Sequence, residues 1–199
     1  MDSTFIQEEV IDLLAQEAGV GDQVANLTEI AMQGKIDFSE ALKERLKLFA
    51  GADSQIIEIV KNKISLSPGI LEIINQCHQK NWLIGVVSGG FLNVIEDLLK
   101  EVGVDFYKAH LLEIHEGRLT GKILGEIIDR NYKKQYLIDT ASKYQIDLKD
   151  TIAVGDGAND LEMIKIAGLG VAYNAKPILR EAANLQLEKG QLANLVQYL

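Results

Sequence analysis

The stretch Gly155-Asp156-Gly157-Ala158-Asn159-Asp160 groups three oxygen-bearing side chains directly behind a β-branched run, Thr151-Ile152-Ala153-Val154. The run reads as a short buried strand, and the apolar periodicity of 161–167 as a helix. An acid at the carboxyl end of a strand in an α/β sheet faces the crevice where such folds bind ligands. There Asp156 is either a metal ligand or a partner of the helix N-terminus, and its flanking glycines let backbone and ligand approach closely. Asn159 and Asp160 fall on the first turn of the helix, toward the same crevice. A second apolar strand, 82–87, ends in Ser88-Gly89-Gly90 ahead of another helix. A hydroxyl with backbone N–H groups at a helix start suits phosphate, although a serine there also serves as a plain N-cap. Lys133 precedes a helix over 134–144, and alone reads as a solvated lysine. Together, a carboxylate, an anion cradle and a lysine fit phosphoryl chemistry with Mg²⁺. That cation takes hard oxygen ligands and bridges to phosphate oxygens.

The elements that must position these residues change character along the chain. Apolar spacing predicts helices over 5–18, around 24–31 with a stop near Gly34, over 38–49 and over 54–64. Asp37 and Glu40 form a capping-box pattern for the third. Four helices without an intervening strand read as a small helical bundle. From Ser67-Pro68-Gly69 onward helices alternate with strands, which implies a parallel sheet with crossover connections. A helix over 70–79 leads to the strand at 82–87, and a helix over 91–102 follows it. The segments 110–114 and 119–123, joined by Glu116-Gly117, read as a β-hairpin. Strands are expected over 168–173 and 185–187, with a short helix opened by Pro177 between them.

Arg45 shares one helix face with Phe38, Leu42 and Phe49. A guanidinium on an apolar stripe either snorkels to the rim or meets a partner, such as a substrate carboxylate held bidentately. Glu9, beside Glu8 on the first helix, is either solvated surface or faces an ammonium group. His78, His110 and His115 lack ligand spacing and read as surface or structural.

The totals narrow the class. The 199 residues, 47% hydrophobic and 25% charged, suffice for one sizeable globular domain, or a domain with a small insert. A net charge of −9 argues against nucleic acid, so attraction of an anion must be local. The single cysteine, Cys77, sits in an apolar pattern and reads as core. No apolar run has membrane-spanning length and the start is acidic and polar, so the reading is cytoplasmic, with no membrane partner. Oligomeric state is not readable.

Met1-Asp2-Ser3-Thr4, Val87-Ser88-Gly89-Gly90, Lys133 and Gly155-Asp156-Gly157-Ala158-Asn159-Asp160, in this order, resemble the four motifs of haloacid-dehalogenase-type phosphatases. Within that superfamily the chain is most similar to the branch acting on phosphoserine, with Ala31-Met32, Asp37-Phe38, Arg45 and Gly121-Lys122 also shared. The resemblance implies a doubly wound α/β core (1–5 and 67–199), a helical cap (6–66) and a hairpin flap. It implies Mg²⁺-dependent hydrolysis of O-phospho-L-serine to L-serine and phosphate, the last step of serine biosynthesis, through an aspartyl-phosphate. In this picture Asp2 is the general acid/base and its carbonyl binds Mg²⁺ with Asp156. Ser88, Gly89 and Lys133 contact phosphate, and Asn159 and Asp160 organise the site. Glu9 meets the substrate ammonium and Arg45 its carboxylate, with Met32 and Phe38 shaping the cap side. The family's motif begins Asp-x-Asp, so its nucleophile and the apolar strand carrying it would precede Met1. Residues 1–199 alone are therefore expected to be inactive and poorly stable, since each buried backbone group left unpaired costs roughly 1–3 kcal/mol. The alternatives are a non-catalytic phosphoserine- or phosphate-binding remnant, and a phosphatase or phosphotransferase for another small phosphomonoester.

Overall fold

The computed structural model describes residues 1–33 and 35–199, with Met32 as backbone only. Four helices come first: α1 (Val10–Glu17), α2 (Gly21–Met32), α3 (Phe38–Lys47) and α4 (Ile56–Lys61). The alternating part runs α5 (Ile70–Gln79), β1 (Gly85–Phe91), α6 (Leu92–Glu101), β2 (Phe106–His115), β3 (Arg118–Leu124), α7 (Arg130–Lys143) and β4 (Ile152–Gly155). It ends with α8 (Leu161–Ile166), β5 (Leu169–Tyr173), α9 (Pro177–Ala182) and β6 (Leu185–Leu187). The expected stop of α2 at Gly34 lies outside the described residues. No helix among the described residues is long and apolar enough to cross a membrane.

The α/β expectation holds, with parallel pairs joined through helices. β1 pairs in parallel with β2, and β2 turns back antiparallel onto β3. β4, β5 and β6 form a second, all-parallel sheet. The two sheets are separate, so the doubly wound order is interrupted between β1 and β4. Among the described residues each of those strands is paired on one side only. A cavity of about 1080 Å³ lies there, lined by 82–87, by 151–154 and by Phe5, Ile73 and Phe106. Trp82 and Leu83, predicted as buried strand, are 44% and 40% exposed on its wall. An apolar run marks burial potential, and here it has no strand to pair with on that side.

Two predicted helices shorten. The first begins at Val10 because Phe5 and Ile6 bury into the core and Ile6 bridges Leu66. The chain thus crosses between the helical and alternating parts as a paired ribbon, with Ser67 N–H donating to the Phe5 carbonyl at 2.9 Å. The fourth keeps only 56–61. Asp37 does cap α3, accepting from the Glu40 N–H at 2.8 Å. The β2–β3 flap turns at Glu116 and Gly117, both with positive φ (50° and 75°), as a two-residue hairpin turn demands. Its outer end is tied to the segment after α3: Gly51 N–H donates to the Leu119 carbonyl and Leu119 N–H to the Ala52 carbonyl.

Candidate active site

β4 delivers Gly155 and Asp156 to the carboxyl edge of its sheet, and the chain then doubles back through Asp160. One Asp160 oxygen, Oδ2, accepts the N–H groups of Asp156 and Gly157, each at 3.2 Å. The other, Oδ1, accepts from Lys133 Nζ at 2.6 Å. Both partners are almost fully buried, at 3% exposure for Lys133 and 5% for Asp160. Lys133 is therefore no solvated lysine. It lies on the first turn of α7, whose N-cap Asp129 accepts the Tyr132 N–H at 2.8 Å. Burial pushes the Asp160 carboxyl upward, but the charge and hydrogen bond of Lys133, the Met1 amino group and the Gly157 N–H together outweigh that and leave it below the usual carboxylate range.

Gly155 makes this fold-back possible. A Cβ there would stand 2.5 Å from Asp160 Cγ. Asp160 cannot swing aside, since three donors pin it. Gly155→Ala is expected to cost about 1–3 kcal/mol through overpacking, read as a lowered melting temperature. An unchanged melting temperature would show the fold-back to be loose.

Asp2 and Thr4 approach from the start of the chain. Thr4 is buried and its Oγ1 donates to Asp156 Oδ1 at 3.1 Å. Burial, then the Asp160 charge, raise the Asp156 pKa. Asp2 Oδ1 is sealed from solvent and has no hydrogen-bond partner among the described residues. Burial dominates its pKa, which is raised from 3.8 to about 7. An orphaned carboxylate oxygen beside a second carboxylate is a hard, anionic donor set that suits a small divalent cation. No group of three His, Cys, Asp or Glu side chains among the described residues forms a ligand cluster. Backbone oxygens and substrate or water would have to complete such a site.

The Ser88-Gly89-Gly90 segment is not the end of a strand but a bulge within one. Val87 pairs with Lys108 and Phe91 with His110, so the ladder slips across these residues. Such bulges re-aim groups out of a sheet. Ser88 Oγ accepts the Gly90 N–H at 2.8 Å, and its own proton has no acceptor among the described residues. Gly90 backs directly onto Asp2: a Cβ there would lie 3.0 Å from Asp2 Oδ2. The carboxylates and the bulge thus share one crevice.

The residues expected on the cap side are placed as follows. Phe38 reaches the bulge, with its Cζ 3.3 Å from where a Gly89 Cβ would be. Glu9 Oε1 accepts from Ser3 Oγ at 2.6 Å, and partial burial, with the Asp156 charge adding, raises its pKa. Half-buried Arg45 donates to the Ala41 carbonyl at 3.2 Å and to Thr28 Oγ1 at 3.4 Å. It forms no ion pair among the described residues. Asp12 and Glu9 are the acids whose charges reach it. Asn159 curls over Gly157, its Oδ1 2.6 Å from a hypothetical Gly157 Cβ, and donates to no described group. The Met32 side chain lies outside the described residues. Thr4 is the contact that sequence reasoning missed. It lies in the Asp2 motif, but only folding brings it to Asp156.

The chain belongs to the haloacid dehalogenase-like hydrolases, whose family model matches residues 1–165. Among relatives it is similar to the phosphoserine phosphatase of Streptococcus thermophilus, with 46% identity over 199 residues, covering 100% of this chain and 93% of that one. It is 47% identical to the phosphoserine phosphatase of Streptomyces coelicolor over 92% of this chain, but spans only 45% of that longer protein. Among solved structures, a phospho-aspartyl intermediate analogue of phosphoserine phosphatase superposes with a TM-score of 0.93 at 38% identity, covering 100% of this chain and 95% of that one.

Proposed function

We propose that this site serves a phosphatase for O-phospho-L-serine. The observation that carries it is the convergence of Asp2, Asp156 and the Lys133–Asp160 pair beside the Ser88–Gly90 bulge, roofed by helices that present Arg45 and Glu9. In this reading phosphate would sit between the Ser88 hydroxyl and Lys133, while Arg45 and Glu9 would complement the carboxylate and ammonium of an amino acid. Asp156 and the Asp2 backbone carbonyl would hold Mg²⁺, which would supply charge neutralisation at the phosphoryl oxygens. In the aspartyl-phosphate route that the family resemblance implies, a nucleophilic aspartate that is none of the carboxylates described here would take the phosphoryl group, and Asp2, its carboxyl pushed up to about 7, would give its proton to the departing serine oxygen as the phosphorus–oxygen bond breaks. It then takes one from the water that hydrolyses the aspartyl-phosphate, which returns it to its starting state. Relatives bearing the name phosphoserine phosphatase support the substrate.

None of the carboxylates just described is assigned as the nucleophile. A cavity lies between β1 and β4, each paired on one side only among the described residues. Residues 1–199 by themselves are therefore proposed to bind phosphoserine without turning it over. Release of phosphate at enzymatic rates by these residues alone would overturn that part of the reading. Calorimetry tests the substrate. O-phospho-L-serine should bind more tightly than glucose 6-phosphate, and Arg45→Ala should weaken phosphoserine about 10- to 100-fold while leaving inorganic phosphate unchanged. Equal loss for both ligands would remove Arg45 from carboxylate recognition.

A further inference from the structure

His110 was read from sequence as surface or structural. It is 1% exposed, and both ring nitrogens are committed. Nδ1 lies 3.0 Å from the Gly89 carbonyl oxygen, and Nε2 accepts the Ile128 N–H at 2.7 Å. A carbonyl only accepts and an N–H only donates, so the proton sits on Nδ1 and the ring is neutral. Burial pushes the imidazole pKa down, and the Lys133 charge adds to that. Phe91, its register partner on β1, packs tilted against the ring at 6.4 Å between centroids.

The two partners of His110 belong to the two halves of the proposed phosphate site. The Gly89 carbonyl shares a peptide group with the Gly90 N–H, which is bound to Ser88 Oγ. That peptide is thus clamped on both sides, by His110 and by Ser88. Two successive glycines restrict their own backbone little, so the clamp is what fixes the bulge. Ile128 lies one residue before the N-cap of α7, whose first turn carries Lys133. We infer that His110 is a positioning residue that hangs the Ser88–Gly90 bulge and the start of the Lys133 helix from one imidazole, setting the spacing of the anion cradle. This rests on the phosphatase reading above, since it takes the bulge and Lys133 to share one phosphate. A buried histidine that merely fills space would need neither partner in particular.

The test uses residues 1–199 with Mg²⁺ and inorganic phosphate as the probe, plus half-replacements that keep one bond each. His110→Asn sets an amide nitrogen where Nδ1 was and keeps the Gly89 bond. His110→Gln reaches the Nε2 position and keeps the Ile128 bond. Long-range ¹H–¹⁵N spectra of the parent protein are expected to show the Nδ1–H tautomer. Phosphate affinity should fall about tenfold in both His110→Asn and His110→Gln, since each keeps only one of the two ties, with both variants folded by their amide spectra. Equal affinity in all three proteins, or an Nε2–H tautomer, overturns the proposal and leaves the phosphatase reading standing. Failure of the parent protein itself to bind phosphate or phosphoserine overturns that reading and this proposal with it.

Discussion

Lys133→Ala is expected to destabilise the protein by about 3–5 kcal/mol and to abolish phosphate binding. The ammonium and the Asp160 carboxylate are both buried, and removing the ammonium leaves the carboxylate charged without a counter-charge. The loss is a large share of a typical total of ~5–15 kcal/mol. At about 2–4 °C per kcal/mol for a chain of this size, the melting temperature should drop by roughly 10 °C. The pH dependence carries the signature of the pair. The folded Asp160 pKa lies below its unfolded value, so its contribution is fully present above the unfolded pKa and is lost as pH falls through the folded one. The gap between parent and variant should therefore close in acid. Adding Asp160→Asn to Lys133→Ala should recover part of the loss, because the stranded charge goes while the acceptor oxygen for the Asp156 and Gly157 N–H groups stays. A variant as stable as the parent at neutral pH, or one whose deficit is the same in acid, would mean that the two charges are not coupled. The lysine would then be a phosphate contact and nothing more for stability.

Much of this site could be read from the residues, and the exceptions have physical causes. Asp156 was legible because a β-branched run ending in Gly-Asp-Gly states both a strand and its carboxyl edge. The flap was legible from Glu116-Gly117, since few residue pairs tolerate positive φ twice in succession. Lys133 was visible only through the order of motifs, because nothing local marks a lysine as buried. Its partner Asp160 lies 27 residues on, and the Asp160 fold-back depends on contacts across Gly155. The slip in β1 was hidden because a bulge is a property of two strands. Its register depends on β2, and so does the role of His110. The exposure of Trp82 and Leu83 was missed for a related reason. Hydrophobicity says what a strand can bury, and the neighbour across the cavity decides whether it does.

Asp2→Asn should do the opposite of Lys133→Ala: stabilise the metal-free protein while removing the proposed acid/base. The Asp2 carboxyl is held at about 7 chiefly by burial, with the Met1 amino group and Lys133 opposing and Glu9 and Asp156 adding. The folded pKa is raised above the unfolded 3.8, so the folded state binds the extra proton between about 4 and 7. Stability from this group is complete below the unfolded pKa and declines as pH rises to the folded one. About three pKa units correspond to up to about 4 kcal/mol, present as a penalty at pH 8 and absent at pH 4. Asparagine has the same shape and never ionises. Its melting temperature should match the parent near pH 4, exceed it near pH 8 and stay flat between. Mg²⁺ should stabilise the parent most above pH 7, where ionised Asp2 has a charge to share, and should stabilise the variant less. Parallel pH profiles for parent and variant would place Asp2 at an ordinary carboxylate pKa, ionised throughout the neutral range. It could not then donate a proton to a departing alkoxide, and the acid/base role would have to pass to another group. The expected divergence instead ties the instability of the apo site to its chemistry. The seal that leaves Asp2 Oδ1 without a partner among the described residues also pushes its carboxyl up to about 7, toward the pH where a leaving group needs a proton.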